Sequence, residues 1–384
     1  MATQSESSRR EALSTEQIRQ ILTDQYAIGI FTEAVQVTEK LSSNVTYKVI
    51  TTRQGVEKVY ILRAYNPDSM LRQIRFEHAL LVELQRRQFT LVPQVIAAKQ
   101  GETYLQIRNA QSGQTHYIAV FSFLPGKNRE LLSDYVWPAE ELASAATVLA
   151  HFHQALVGWA GGDCHPPVIT QIPEMMANVY QSMQAIQANG ASSPFEQCLL
   201  EHSNYFKQLF EKFAVRSVEK QLDMLPATTI HGDYQAFNLL FQDGKVSGVL
   251  DFEYARRDLR AFELVYTLSL FCAPCSVARS GKIELETVKI FLEHYQQAWR
   301  PNAELGPLQK QELACFPEIW MAHTLREVSW ITYDYFVNRT DPTLYLIYLP
   351  HLVQVMQWME NHWEAAATTL FTELAPATEA GSRT

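Results

Sequence analysis

The stretch from Thr228 to Arg257, TTIHGDYQAFNLLFQDGKVSGVLDFEYARR, gathers side chains whose types and spacing suit phosphoryl transfer. Asn238 to Phe241 and Val246 to Asp251 are β-rich runs joined at Asp243-Gly244, a short-range hairpin signal. A two-residue turn there pairs Asn238 with Val249 and leaves Asp251 two positions along on the same face. An amide oxygen and a carboxylate would then meet at the open end of the hairpin. Two hard oxygen donors at one point suit Mg²⁺, with phosphate oxygens and water completing its octahedron. Just before the first strand, His231-Gly232-Asp233 places a carboxylate after a glycine that lets the loop turn. Such a carboxylate can accept the hydrogen bond, and then the proton, of an incoming hydroxyl. Taken singly, Asp233 reads as a turn former, Asn238 as a loop cap and Asp251 as a strand-end cap. Their combined spacing around one hairpin points to the phosphoryl-transfer reading instead.

The elements that must hold these groups fall into two texts. Residues 1–14 read as a frayed polar tail, and Ser14 to Asp24 as a short helix that Thr15 can cap. Strands follow at Val45 to Thr51 and Val56 to Tyr65, joined near Gln54-Gly55. A helix capped by Asp68 or Ser69 runs to about Arg87 with Leu71, Ile74, His78, Leu81 and Leu84 as its stripe. Tyr104 to Arg108 and Tyr117 to Phe123 complete a small sheet. Leu124-Pro125-Gly126-Lys127 breaks the pattern, and helices dominate thereafter: Pro138 to Leu156, then around 173–188, 195–215, 259–272, 284–299, 312–336 and 343–371. His151 and His153 lie two apart on a helix and so do not share a metal. The expected domains are therefore 15–124 and 125–373, with a second tail at 374–384.

HGDYQAFNLLF followed by GVLDFEYA resembles the catalytic loop and metal-binding segment of the aminoglycoside phosphotransferase and choline kinase family. The resemblance is strong over 228–270, and the DFEYARRD segment looks closest to homoserine-kinase-like members. It implies an α+β, bilobal protein-kinase-like fold, with a small antiparallel sheet plus helix followed by a larger, mainly helical lobe. It implies ATP and Mg²⁺ as cofactors, Asp233 as the catalytic aspartate, and Asn238 and Asp251 as magnesium ligands. His231 matches the histidine that braces the loop, and Glu263 stands where a bracing aspartate is usual. Arg63 stands where the family carries the cation facing the α- and β-phosphates. Glu77, between Ile74 and Leu81 on the inner face of the next helix, can orient it, whereas Lys58 has the opposite strand parity. The phosphate-covering segment contains Ser42, Ser43 and Asn44 but no glycine. Phe121 to Gly126, with Phe123, resembles the adenine-holding hinge.

Composition sets the frame. The 384 residues are 47% hydrophobic and 19% charged, long enough for two cores. Residues 1–125 carry 14 Lys and Arg against 11 Asp and Glu, and the remainder 18 against 30, which together give the net −9. A mildly basic first lobe suits a nucleotide; an acidic second lobe suits a cationic acceptor and opposes nucleic acid. No apolar stretch suggests a signal or a span, and the five cysteines form no disulfide framework, so a cytoplasmic protein without membrane contact is expected. Cys272-Ala-Pro-Cys275 has no second ligand pair nearby and reads as packing. Absence of Walker A, G-x-G-x-x-G and G-x-S-x-G sequences disfavours P-loop, Rossmann and α/β-hydrolase enzymes.

The expected function is transfer of phosphate from ATP to a hydroxyl of a small, amine-bearing acceptor of homoserine, amino alcohol or aminoglycoside type. Glu253, Asp258, Glu327 and Asp334 are the acids that can recognise its ammonium group; Trp320, Trp330, Tyr333 and Tyr335 offer a wall beside it, although aromatic residues at such spacing are more often core than pocket. The alternative is a nucleotide-binding regulatory module with impaired catalysis, for which the glycine-poor loop and Glu263 speak. The sequence does not set the oligomeric state.

Overall fold

The structure is a computed structural model that describes residues 13–37, 44–66, 70–108, 115–129, 135–159, 161–162, 165–276, 280–301, 303–338 and 340–374, with side chains to 370. The chain divides into two compact units between Pro125 and Gly126.

The first unit opens with helix α1 (Thr15–Gln25), whose cap is Ser14 rather than Thr15. Ser14 Oγ accepts from Gln17 N while Gln17 Oε1 accepts from Ser14 N, a reciprocal box that satisfies two otherwise orphaned donors. An antiparallel sheet follows: β1 (Ile30–Gln36), β2 (Val45–Arg53), β3 (Val56–Ala64), then, after helix α2 (Leu71–Arg86), β4 (Val95–Ile96), β5 (Leu105–Arg108) and β6 (Thr115–Ser122). Strand order is β1-β2-β3-β6-β4, with β5 also on β6. The strand β1 escapes sequence reading because its burial is irregular and mostly exposed, the pattern of an edge. Val45, Tyr47, Val49, Leu62 and Ala64 share a core with Ile18 and Leu22 of α1. Arg63 alternates with Leu62 and Ala64, so it faces the other side of the sheet, where it meets Glu77 of α2. Asp68 and Ser69, the expected caps of α2, lie outside the described residues.

The second unit contains α3 (Ala139–Leu156), α4 (Val168–Asn189), α5 (Pro194–Glu201), α6 (Ser203–Glu219), β7 (Ala227–Ile230), β8 (Leu239–Gln242), β9 (Lys245–Val249), β10 (Arg256–Leu259), α7 (Arg260–Phe271), α8 (Leu285–Gln297), α9 (Lys310–Ala314), α10 (Phe316–Tyr333) and α11 (Tyr345–Leu374). Two expected helices are split. The segment 195–215 breaks at His202, which has left helical geometry (φ −95°, ψ 1°). The segment 312–336 breaks at Cys315, and Pro317 in the first turn of α10 lacks the N–H needed to continue from α9. Strands β7 and β10 pair antiparallel, a connection between distant segments that sequence reading did not anticipate. Helix α10 is buried nearly all round, from Phe316 through Leu325. The four aromatic residues weighed as a wall do not share one face of it. Trp320 is core, Trp330 and Tyr333 are exposed, and Tyr335 packs on Phe195 at 4.4 Å, because these positions point to different sides of the helix. No described helix is long and apolar enough to cross a membrane.

Candidate active site

Strand β7 delivers the chain to His231, Gly232 and Asp233. Gly232 has φ +79°, and a Cβ there would stand 2.2 Å from the Tyr254 carbonyl oxygen, so the loop needs glycine both for its conformation and for its close approach. A 3₁₀ turn over Ala236–Asn238 leads into β8. Near the turn the β8–β9 hairpin has the expected register, Gln242 opposite Lys245 and Phe241 opposite Val246. Ser247 is then an extra residue, after which Leu240 pairs Gly248 and Leu239 pairs Val249. The expected pairing of Asn238 with Val249 is thus off by one: Asn238 O accepts from Leu250 N at 2.8 Å. Asp251 leaves the hairpin at φ +63°, a left-handed conformation uncommon for a residue with a side chain.

Asp233 is the centre of the polar network. Its Oδ1 accepts from Tyr266 Oη and from Gln235 Nε2 at 2.7 Å, and its Oδ2 accepts from Asn238 Nδ2 at 2.7 Å. Burial raises its pKa; the bonds from Tyr266 and Gln235 and the field of His231 oppose the rise, and the Asp251 charge adds to it. Asn238 Nδ2 also donates to Asp233 O at 2.9 Å. With both amide protons engaged on Asp233, the Asn238 side chain presents its oxygen elsewhere. A divalent cation fits this donor set: the Asn238 oxygen and the Asp251 carboxylate are hard ligands. Among the described residues no group of three His, Cys, Asp or Glu is placed to hold a metal ion.

The loop is anchored from beneath by Glu263 on α7. Its Oε2 accepts from His231 N at 2.9 Å and its Oε1 from Gly232 N at 2.6 Å. His153 of α3, buried and unassigned by sequence, donates through Nε2 to the same Oε2 at 2.9 Å, and its Nδ1 meets Tyr295 Oη at 2.8 Å. Burial works against the Glu263 charge, but His153 and His231 hold its pKa below the ordinary range. His231 accepts from Asp233 N through Nδ1 (3.2 Å), which puts its proton on Nε2, donating to Leu250 O at 2.8 Å.

In the first unit, the ion pair between Arg63 and Glu77 is present at 2.9 Å. Tyr65 Oη donates to the other Glu77 oxygen at 2.8 Å, and the Arg63 guanidinium lies over the Tyr65 and Phe121 rings. Lys58 is exposed. Asn44 is buried, its Oδ1 accepting from Asn66 N at 3.0 Å, which pins the start of β2 to the end of β3. Ser42 and Ser43 lie outside the described residues. Phe123 is partly exposed with Lys48 Nζ 5.5 Å from its ring centre.

Three of the four acids expected to meet the acceptor have partners inside the fold. Asp258 is buried, and it accepts from Val168 N at the start of α4, from Leu259 N and from Arg256 Nε, so its charge is consumed inside the fold. Asp334 accepts from Tyr345 Oη and from Asn338 Nδ2 at 2.6 Å, tying together the ends of two helical segments. Glu327 is neutralised by Arg326 Nη1 at 2.5 Å and accepts from Tyr348 Oη at 3.2 Å. Glu253 is partly exposed on the turn before β10. Tyr266, which reaches Asp233, was missed because nothing local marks it: it sits in an apolar helix.

A model of the phosphotransferase enzyme family matches residues 35–305. Homoserine kinase of Gluconobacter oxydans is 30% identical over 135 residues, which are 33% of this chain and 39% of that protein, so the chain spans about two-fifths of this curated relative. Spectinomycin phosphotransferase in complex with ADP and spectinomycin superposes with a TM-score of 0.63 at 11% identity, covering 91% of this chain and 99% of that one. Amicoumacin kinase in complex with AMP-PNP and Ca²⁺ superposes with a TM-score of 0.60 at 12% identity, covering 90% and 93%. These likenesses give the protein-kinase-like fold, a small antiparallel-sheet region followed by a larger helical one.

Proposed function

Because the chain belongs to the phosphotransferase enzyme family, we propose that it moves the γ-phosphoryl group of ATP to a hydroxyl of a small, amine-bearing acceptor. The observation that carries this reading is the Asp233 carboxylate, held by hydrogen bonds from Tyr266, Gln235 and the Asn238 amide N–H. Names among the similar proteins support it: homoserine, spectinomycin and amicoumacin kinases, two of them with bound adenine nucleotide.

Asp233 accepts the hydrogen bond of the acceptor O–H, orients its lone pair toward the phosphorus, and takes the proton as the new O–P bond forms and the bond to the ADP oxygen breaks. Asn238 and Asp251 would hold Mg²⁺, which when bound would neutralise the charge of the phosphates. Arg63, oriented by Glu77, binds the nucleotide's α- and β-phosphates. Glu263 and His153 keep the His231–Asp233 backbone fixed, so the carboxylate needs no rearrangement at the moment of transfer.

The test is Asp233→Asn. Calorimetric ATP affinity should stay near wild type while acceptor-dependent turnover falls at least about 100-fold. Unchanged turnover would remove Asp233 from its role. Nucleotide binding by the wild type, with no transfer across a broad panel of hydroxyl compounds, would favour the regulatory-module reading.

A further inference from the structure

The charge of Glu327 is already satisfied, so the group in this neighbourhood with capacity left for a ligand is its neighbour. Arg326 makes one hydrogen bond among the described residues, from Nη1 to Glu327 Oε1. Its side chain is only 15% exposed, and its guanidinium lies 5.3 Å from the centre of the Tyr266 ring. Tyr266 donates its hydroxyl proton to Asp233 Oδ1. The cation therefore sits across one tyrosine ring from the carboxylate that faces the incoming nucleophile. Asp233 and Tyr254 lie near enough for their charges to favour the Arg326 cation. Four further N–H donors on a nearly buried guanidinium, arranged as a planar fork, call for a planar anionic partner.

From this geometry we infer that Arg326 binds a carboxylate of the acceptor, so that the substrate is a short hydroxy amino acid rather than an amino alcohol or amino sugar. The inference rests on the kinase reading above and adds the substrate class. The partner belongs to the acceptor rather than to the nucleotide for a geometric reason. Tyr266 engages Oδ1 of Asp233, whereas Asn238, whose amide oxygen is a metal donor, engages Oδ2. Arg326 thus approaches the carboxylate from the oxygen that Asn238 does not use. Arg326 is in this account a specificity-determining residue. Glu327 and Tyr348 act through it by fixing the plane of the fork.

The experiment compares acceptors that differ only in the carboxylate, with the full-length protein and saturating MgATP: homoserine against its decarboxylated amino alcohol, serine against ethanolamine, threonine against its decarboxylated amino alcohol. The acid member of the accepted pair should be phosphorylated with kcat/KM about 100-fold above the amine, since a site built around a charged partner rejects the analogue lacking it. The second arm is Arg326→Lys, which keeps the charge opposite Glu327 but not the fork. It should raise the KM for the acid acceptor at least about 10-fold while kcat and the KM for ATP change little. Equal or better transfer to the amino alcohols would overturn the inference and leave the kinase reading standing. A fall in kcat with an unchanged acceptor KM would also overturn it, because it would place Arg326 on the transferring phosphoryl group. Transfer to no acceptor of either kind would remove the kinase reading and this inference together.

Discussion

Burial holds the Asp233 carboxyl above the ordinary aspartate range, the Tyr266 and Gln235 bonds pull it down, and the Asp251 charge pushes it up. The sign of the consequence is fixed. A base with a raised pKa is ionised only above that value, so the acid limb of the kcat/KM profile should lie above the range of a free aspartate. Folding, by contrast, favours the protonated form, and that contribution is full below the ordinary aspartate pKa and lost as pH rises through the raised one. Replacing Tyr266 by Phe removes one of the bonds that lowers the pKa. The acid limb of the variant should move to higher pH relative to wild type, and a limb that stays in place or moves down would show that Tyr266 does not tune Asp233. Asp233 and Asn238, which the structure joins by a hydrogen bond, were legible in the sequence because their residue types and local spacing carry the signal. Tyr266 was not, because a tyrosine in an apolar helix declares no partner; only its 33-residue reach back to Asp233 does so.

The loop from His231 to Asp233 shows how one element supports another. Glu263 on α7 accepts the two backbone N–H groups that open the loop, and His153 on α3 fixes the glutamate in turn. Changing Glu263 to Gln would set an amide N–H against those donors in a buried place. The expected cost is about 3 kcal/mol, read from the urea midpoint, along with a fall in kcat larger than any change in the KM for ATP. Because the folded-state pKa of Glu263 is depressed, its contribution is present above the ordinary glutamate range and lost as pH falls through the depressed value. The stability gap between wild type and Glu263→Gln should therefore narrow in acid. A glutamate where related sequences favour aspartate reads as a weakness in the sequence, yet the structure pairs it with a histidine 110 positions away. The hairpin gives the converse lesson. Asp243-Gly244 announces the turn, and the pairs beside it follow, but the extra residue at Ser247 shifts the remainder by one. A bulge is set by what the strand must pack against, and alternation alone does not reveal it.

At the scale of the molecule, each unit has its own buried core, so heat unfolding need not be a single two-state step. If nucleotide binding is as proposed, MgATP at about 100 times its Kd should stabilise the native protein by about 2.7 kcal/mol by mass action. Arg63→Gln should lose much of that gain; a denaturation midpoint that MgATP leaves unmoved would count against the nucleotide site. The amino-acid sequence by itself determined the change from sheet to helix near Pro125, the turn at 243 and 244, and the residue types at the loop. Those follow from backbone preferences and periodicities that act over a few residues. Only the tertiary structure decided which charges are spent and which are offered. Asp258 closes on the start of α4, Asp334 on Tyr345 and Glu327 on Arg326, whereas the Arg326 fork makes that one hydrogen bond among the described residues. The physical reason is that desolvation and pairing depend on what lies across the core, and that neighbour is supplied by elements far away along the chain.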